Sequence, residues 1–395
     1  MRIPNDPFLG TNYIGKEELR AVKRVIKSKS LFRYHGPHLL YKTSELENAL
    51  KEYLGVKYVL AVSNGAAALK LACIGCGIGP GDEVLMSPFT FIASASSVLA
   101  CGAVPKFIDI DETMNIDVNK IEAAISKNTK AIMAIHMQGN PCDMISIKRI
   151  AKKHNLKVIE DVAQAFGSGI DDKKSGTFGD CGAFSLQAGK TITCGEGGFI
   201  ATDNKEIFEL AKMYHDNGGY RVGDAYPTWE NTHTIYGENF KLTELQSAVA
   251  VEQLKKVHKI IEHQDKIYDY ILNRIDTDFY KLRPVLEKHK VVHVSLGIQF
   301  ENEKKCNDFI KYMNDAGIGF NNYCSNLLTE FDTFKYRKSW NKVGYPYNVS
   351  KYENTDVSNA KNLFKRTAWF NLSASLKKKH LDYIIEKMRE WENEN

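Results

Sequence analysis

Between residues 57 and 204, short β-rich runs alternate with segments of helical periodicity, and this alternation narrows the possible folds more than any other feature of the chain. Lys57 to Val62, Glu83 to Met86, Val104 to Ile110, Thr129 to His136 and Lys157 to Asp161 read as strands. Gly65 to Cys76, Phe91 to Cys101, Val118 to Ser126 and Asp143 to His154 read as the helices between them. Strands that alternate with helices in this way predict an α/β fold, with a mostly parallel sheet sandwiched by helices. The rhythm breaks in a loop from Gly167 to Asp180, and two further strands flank Lys190. Thr243 to Asp276 predicts one or two long helices, with Leu245, Ala248, Val251 and Leu254 at helical spacing. A smaller C-terminal α/β domain should follow, with a strand over Val291 to Phe300 and a last helix over His380 to Trp391. The predicted domains are residues 1–255 and 256–395.

At 395 residues and 43% hydrophobic content, the chain can bury one large core and a second, smaller one. Its 53 basic residues barely exceed its 48 acidic ones and form no basic arm, which argues against nucleic acid as a partner. The segment Met1 to Pro7 lacks the apolar run of a signal peptide, and no later stretch has the length and apolarity of a membrane span. A cytoplasmic protein is expected. The 8 cysteines read as reduced thiols. Cys73 and Cys76 have zinc or redox spacing, but no second Cys pair or nearby His completes a site, so helix packing is expected and metal is not.

Four segments carry chemistry. In Phe184 to Gly198, Lys190 lies five residues after Ser185 and just before the glycine-rich Gly195-Glu196-Gly197-Gly198. A primary amine can join the aldehyde of pyridoxal phosphate (PLP) as a Schiff base, a nearby hydroxyl can reach its phosphate, and glycines let backbone pass close to the ring. Taken alone, a lysine in a chain this basic would be a solvated surface cation. Ser63-Asn64-Gly65-Ala66 ends a strand and opens a helix, where free N–H groups bind a phosphate; an ordinary tight turn would look the same. Glu160 and Asp161 end a strand and must point to opposite faces, so one of them can meet the site. If that one is Asp161, it can keep a proton on a pyridine nitrogen, although carboxylates at strand ends also serve as caps or stay solvated. Gly237 to Gln246 is a polar loop that enters a helix at Thr243, which is equally consistent with plain capping.

Together and in this order, Glu160-Asp161-x-Ala163-Gln164-Ala165, Phe184-Ser185, Lys190 and Gly195-Glu196-Gly197-Gly198 resemble the DegT/DnrJ/StrS family of PLP-dependent sugar aminotransferases, from about residue 31 to 255 and more weakly beyond. The resemblance implies the aminotransferase fold of type I and assigns roles. Lys190 would hold the cofactor covalently, Asp161 would pair with the pyridine nitrogen, Gln164 would contact the ring's hydroxyl side and Phe91 would stack on the ring. Gly65, Ala66 and Ser185 would hold the phosphate. Lys241 would reach the phosphate of the neighbouring subunit, which makes the protein a homodimer with shared active sites. Asn64-Gly65-Ala66 stands where the family has Ser-Gly-Thr, and Lys241 where Arg or Asn is more usual.

The same resemblance implies glutamate as amino donor and a keto- or aldehydo-sugar as acceptor, in the synthesis of cell-surface polysaccharide. Leu31 to Tyr34, His136 to Gly139 and Lys190 to Gly198 look similar to the 8-amino-3,8-dideoxy-manno-octulosonate transaminases, and also to enzymes that aminate nucleotide-linked keto-deoxysugars. Arg33 could meet an anionic group of such a substrate or form an interface salt bridge, and His136 is a second substrate candidate. Relatives with histidine in place of the lysine are dehydratases, a branch that Lys190 argues against. A PLP-fold regulator without turnover is the remaining alternative.

Overall fold

The computed structural model describes residues 3–222, 228–229, 234–323, 326–350 and 355–395. Its centre is a seven-stranded sheet whose order is Tyr58–Val62, Gly198–Thr202, Cys181–Ser185, Lys157–Asp161, Thr129–Ile135, Glu83–Met86, Val104–Phe107. The last five in that order run parallel, and Gly198–Thr202 lies antiparallel between its two neighbours. The expected strands, and the helices Gly65–Gly75, Ile92–Ala100, Val118–Ala124 and Met144–Lys153 between them, are all present. The Val104 strand stops at Phe107, three residues short of the expected end. Hydrophobic periodicity also said nothing of the antiparallel hairpin Gly169–Ile170 and Lys173–Lys174 inside the expected loop, because strands of two residues leave no pattern.

Local chemistry places the helix starts. The Asn64 carboxamide oxygen accepts from the Ala67 N–H at 2.8 Å, which leaves the Gly65 and Ala66 amides at the tip of the following helix. Thr243 and Gln246 form a reciprocal capping box at the start of Glu244–Leu254. A second helix, Val257–Leu272, follows, so the long helical segment is two helices rather than one.

The two largest clusters of buried apolar residues are one packed against the sheet and one formed mainly by residues 267–391. The second core surrounds a three-stranded antiparallel sheet of Lys281–Leu282, Ser295–Gln299 and Thr367–Asn371, covered by Glu303–Asp315 and Lys378–Glu394. Chain position alone does not separate the two. Ile3 packs into the C-terminal core, while Leu327, Phe334, Leu363 and Trp369 pack into the larger one. Seven cysteines lie among the described residues and all are free thiols. Cys73 and Cys76 are buried on the Gly65 helix and its cap, as packing predicted; Cys324 lies outside the described residues. Among the described residues no helix is long and apolar enough to cross a membrane, and no metal-ligand cluster is found.

Candidate active site

Strand alternation separates the two neighbouring carboxylates. Glu160 is fully buried on one side, where its oxygens accept N–H bonds from Gly176 (2.7 Å), Phe178 (2.7 Å) and Gly179 (2.6 Å), and where His136 Nε2 lies 3.0 Å away. The Cys142 N–H donates to His136 Nδ1 at 3.0 Å, so that nitrogen is an acceptor and the ring proton sits on Nε2, facing Glu160. Glu160 therefore ties the 176–179 loop to the sheet. Asp161 faces the other way, into a cavity of about 860 Å³ at the carboxyl ends of the parallel strands. One of its oxygens accepts from the Ala163 N–H at 3.0 Å and the other from the Ser94 hydroxyl at 2.7 Å.

Lys190 reaches the same cavity from the loop after Cys181–Ser185. Burial holds its amine below the ordinary lysine range, against the pull of the Asp161 and Glu196 carboxylates. The alternation that turns Ser185 to the cavity turns Phe184 to the core, where it stacks on the cross-strand Phe199 at 4.3 Å between ring centres. A side chain at Gly65 would put its Cβ 2.8 Å from Ser185 Cβ and 3.0 Å from Ser185 Oγ, so only glycine lets the helix tip approach the hydroxyl this closely. The Gly65 and Ala66 amides and the Ser185 hydroxyl thus converge on one corner, as a phosphate cradle requires.

Phe91 immediately precedes the helix Ile92–Ala100, lines the cavity and is 65% exposed, leaving an apolar ring face open to a planar ligand. The Gln164 side chain donates from Nε2 to the Tyr323 hydroxyl at 2.7 Å and accepts from the Gln138 N–H at 3.4 Å. Desolvated amine, carboxylate, aromatic face and N–H cradle share one cavity, and together these donors fit PLP.

Three expected residues lie elsewhere or are otherwise engaged. The Arg33 guanidinium is buried against Glu47 at 2.8 Å and donates to the Ala61 carbonyl at 3.1 Å; it is an internal ion pair and does not line the cavity. His136 lines the cavity, but its two nitrogens face Glu160 and the Cys142 N–H, so neither is spare for a substrate. Lys241 lies beside the end of the Tyr58–Val62 strand with its ammonium on Asp216 at 2.5 Å, outside the cavity formed by its own chain. Burial works to raise Asp216, but Arg221 and Lys241 overcome it and take the carboxyl down to about 2.

Several cavity residues escape the sequence reading. Trp369 and Asn321 exchange backbone bonds of 3.0 and 2.8 Å at the mouth, Tyr323 packs edge-on against Phe89, and Asn371 is held by the Asn5 carboxamide oxygen at 3.1 Å. Ser94, by contrast, carried a signal: it follows Phe91 by three residues, one helical turn, on a helix that opens at the site.

Residues 12–389 match the DegT/DnrJ/EryC1/StrS aminotransferase family. A GDP-perosamine synthase from Caulobacter vibrioides is 42% identical over 224 residues, which cover 56% of this chain and 59% of that protein. The match therefore spans under two thirds of that relative's length. The spore coat polysaccharide biosynthesis protein SpsC of Bacillus subtilis is 31% identical over 390 residues, 95% of each chain. The crystal structure of an aminotransferase from Psychrobacter cryohalolentis superposes with a TM-score of 0.85 at 27% identity, covering 99% of both chains.

Proposed function

Because the chain belongs to the DegT/DnrJ/EryC1/StrS aminotransferase family, we propose that it is a PLP enzyme that moves an amino group from glutamate to a keto-sugar carried on a nucleotide. The observation that carries this reading is the desolvated Lys190 amine, in one cavity with the Asp161 carboxylate and the Gly65, Ala66 and Ser185 cradle. The nucleotide-linked acceptor rests on the name of the GDP-perosamine synthase relative. The relative named for spore coat polysaccharide supports a product destined for the cell surface. A cytoplasmic homodimer, with Lys241 completing the partner's phosphate site, belongs to the same proposal.

Bound PLP supplies an aldehyde for the amine and a ring that accepts electrons from the donor's α-carbon. Gly65, Ala66 and Ser185 would hold its phosphate, Asp161 would hold a proton at the ring nitrogen, and Gln164 would orient the ring through its hydroxyl side. Lys190 would take the donor's α-carbon proton, a role its desolvation favours because the amine loses its own proton more readily than in water. Phe91 would cover the ring and exclude water from one face. Glutamate leaves as 2-oxoglutarate, and the acceptor carbonyl becomes an amine.

The test is the visible spectrum of purified protein with PLP, before and after glutamate is added without sugar. Bleaching of the band with release of 2-oxoglutarate is expected. Lys190→Ala should fold but show neither the band nor any transamination, and wild-type turnover in that variant would remove Lys190 from the mechanism.

A further inference from the structure

We infer that Ser94, itself oriented by Thr90, is a positioning residue that sets the rotation of the Asp161 carboxylate toward the ring nitrogen of the cofactor. This rests on the PLP reading above and extends it to a residue pair with no assigned role. Ser94 and Thr90 are 1% and 5% exposed. The Ser94 hydroxyl lies 2.7 Å from Asp161 Oδ2 and 2.9 Å from Thr90 Oγ1. Ser94 Oγ donates its single proton to Asp161 Oδ2. The Thr90 proton then goes to Ser94 Oγ, and the chain runs one way, from Thr90 through Ser94 to Asp161.

Asp161 Oδ1 is pinned separately by the Ala163 N–H at 3.0 Å. One bond to each oxygen fixes the plane of the carboxylate, whereas the backbone bond alone would let it turn about the bond to Cβ. Each oxygen keeps a second lone pair, and the two remaining positions are what the cavity sees. The arrangement comes from a single turn of chain. Thr90 and Ser94 are four residues apart, and Phe91 between them lines the cavity, so the segment that offers the ring its aromatic face also orients its carboxylate.

The experiment compares wild type with Ser94→Ala, Ser94→Thr and Thr90→Val, with two readouts besides turnover: the PLP dissociation constant, and the pH midpoint of the visible band in the PLP-loaded protein. Ser94→Ala should weaken PLP by roughly 3- to 10-fold, about the net worth of one ordinary hydrogen bond felt through Asp161, and displace the midpoint. Ser94→Thr keeps the hydroxyl and should restore both. Thr90→Val should shift both in the same sense by less, and it provides the measurement if Ser94→Ala fails to fold. A purely structural serine would lower the melting temperature and leave the midpoint in place. An unmoved midpoint and PLP affinity in the alanine variant, or in Thr90→Val should it stand in, overturn the inference alone. A wild-type protein that acquires no visible band overturns the PLP reading and the inference with it.

Discussion

Gln164 Nε2 donates to the Tyr323 hydroxyl at 2.7 Å, joining residues 159 apart in the chain across the cavity. Gln164 follows the central Lys157–Asp161 strand, while Tyr323 packs edge-on against Phe89 at 5.0 Å between ring centres. Tyr323→Phe keeps this packing and removes the acceptor for Gln164, so its effect should fall on the site rather than the fold. We expect about a 10-fold loss of kcat/KM in transamination, with the melting temperature within about 2 °C of wild type. Unchanged kinetics would mean that Gln164 is oriented without the tyrosine.

Glu160 makes a different prediction from its neighbour. Three backbone N–H groups and His136 Nε2 converge on a carboxylate with no exposure, and glutamine can accept from only some of them. Glu160→Gln should destabilise the protein by about 2–4 kcal/mol in urea melts and raise hydrogen exchange at Gly176 to Gly179 first. Exchange that rises uniformly across the chain would contradict the loop-tethering role.

His215 should give the stability profile an acid limb. Burial, reinforced by Arg33, lowers its pKa from the ordinary 6.5 to about 3, so between those values the unfolded chain binds a proton that the native protein refuses. The contribution is fully present above pH 6.5 and is lost at up to about 1.4 kcal/mol per pH unit as the pH falls toward 3. His215→Asn should flatten that part of the curve. Urea melts at pH 7, 6 and 5 on both proteins would show it, and parallel curves would place the acid sensitivity elsewhere.

Lys241 lies outside its own chain's cavity, and subunit mixing tests whether it serves a partner's. If it does, Lys190→Ala and Lys241→Ala chains, each impaired alone, should regain about a quarter of wild-type activity when co-refolded, since half the dimers are mixed and each carries one intact site. If Lys241 acts only within its own chain, mixing recovers nothing.

The sequence made the parallel layer and one wall of the site legible because both rest on short-range rules. Alternation separated Glu160 from Asp161, and the small-residue turn at Gly65 marked a helix tip. It could not place Arg33, whose partner Glu47 is fixed only when the chain packs, nor tell that both His136 nitrogens would be engaged. Tyr323, Trp369 and Asn371 gave no periodic signal, since what brings them to the cavity is the antiparallel pairing of Ser295–Gln299 with Thr367–Asn371 and contacts to residues hundreds of positions away.

That last pairing also has a consequence during synthesis. Trp369 and Asn371 come from a strand near the end of the chain, and Asn371 is gripped by Asn5 near its beginning. While the ribosome is still making residues before 367, the parallel layer that carries Lys190 and Asp161 has already emerged, yet one wall of the cavity does not exist. Until that strand is made, the cavity wall that Trp369 and Asn371 supply beside Lys190 does not exist, and its arrival closes the chamber.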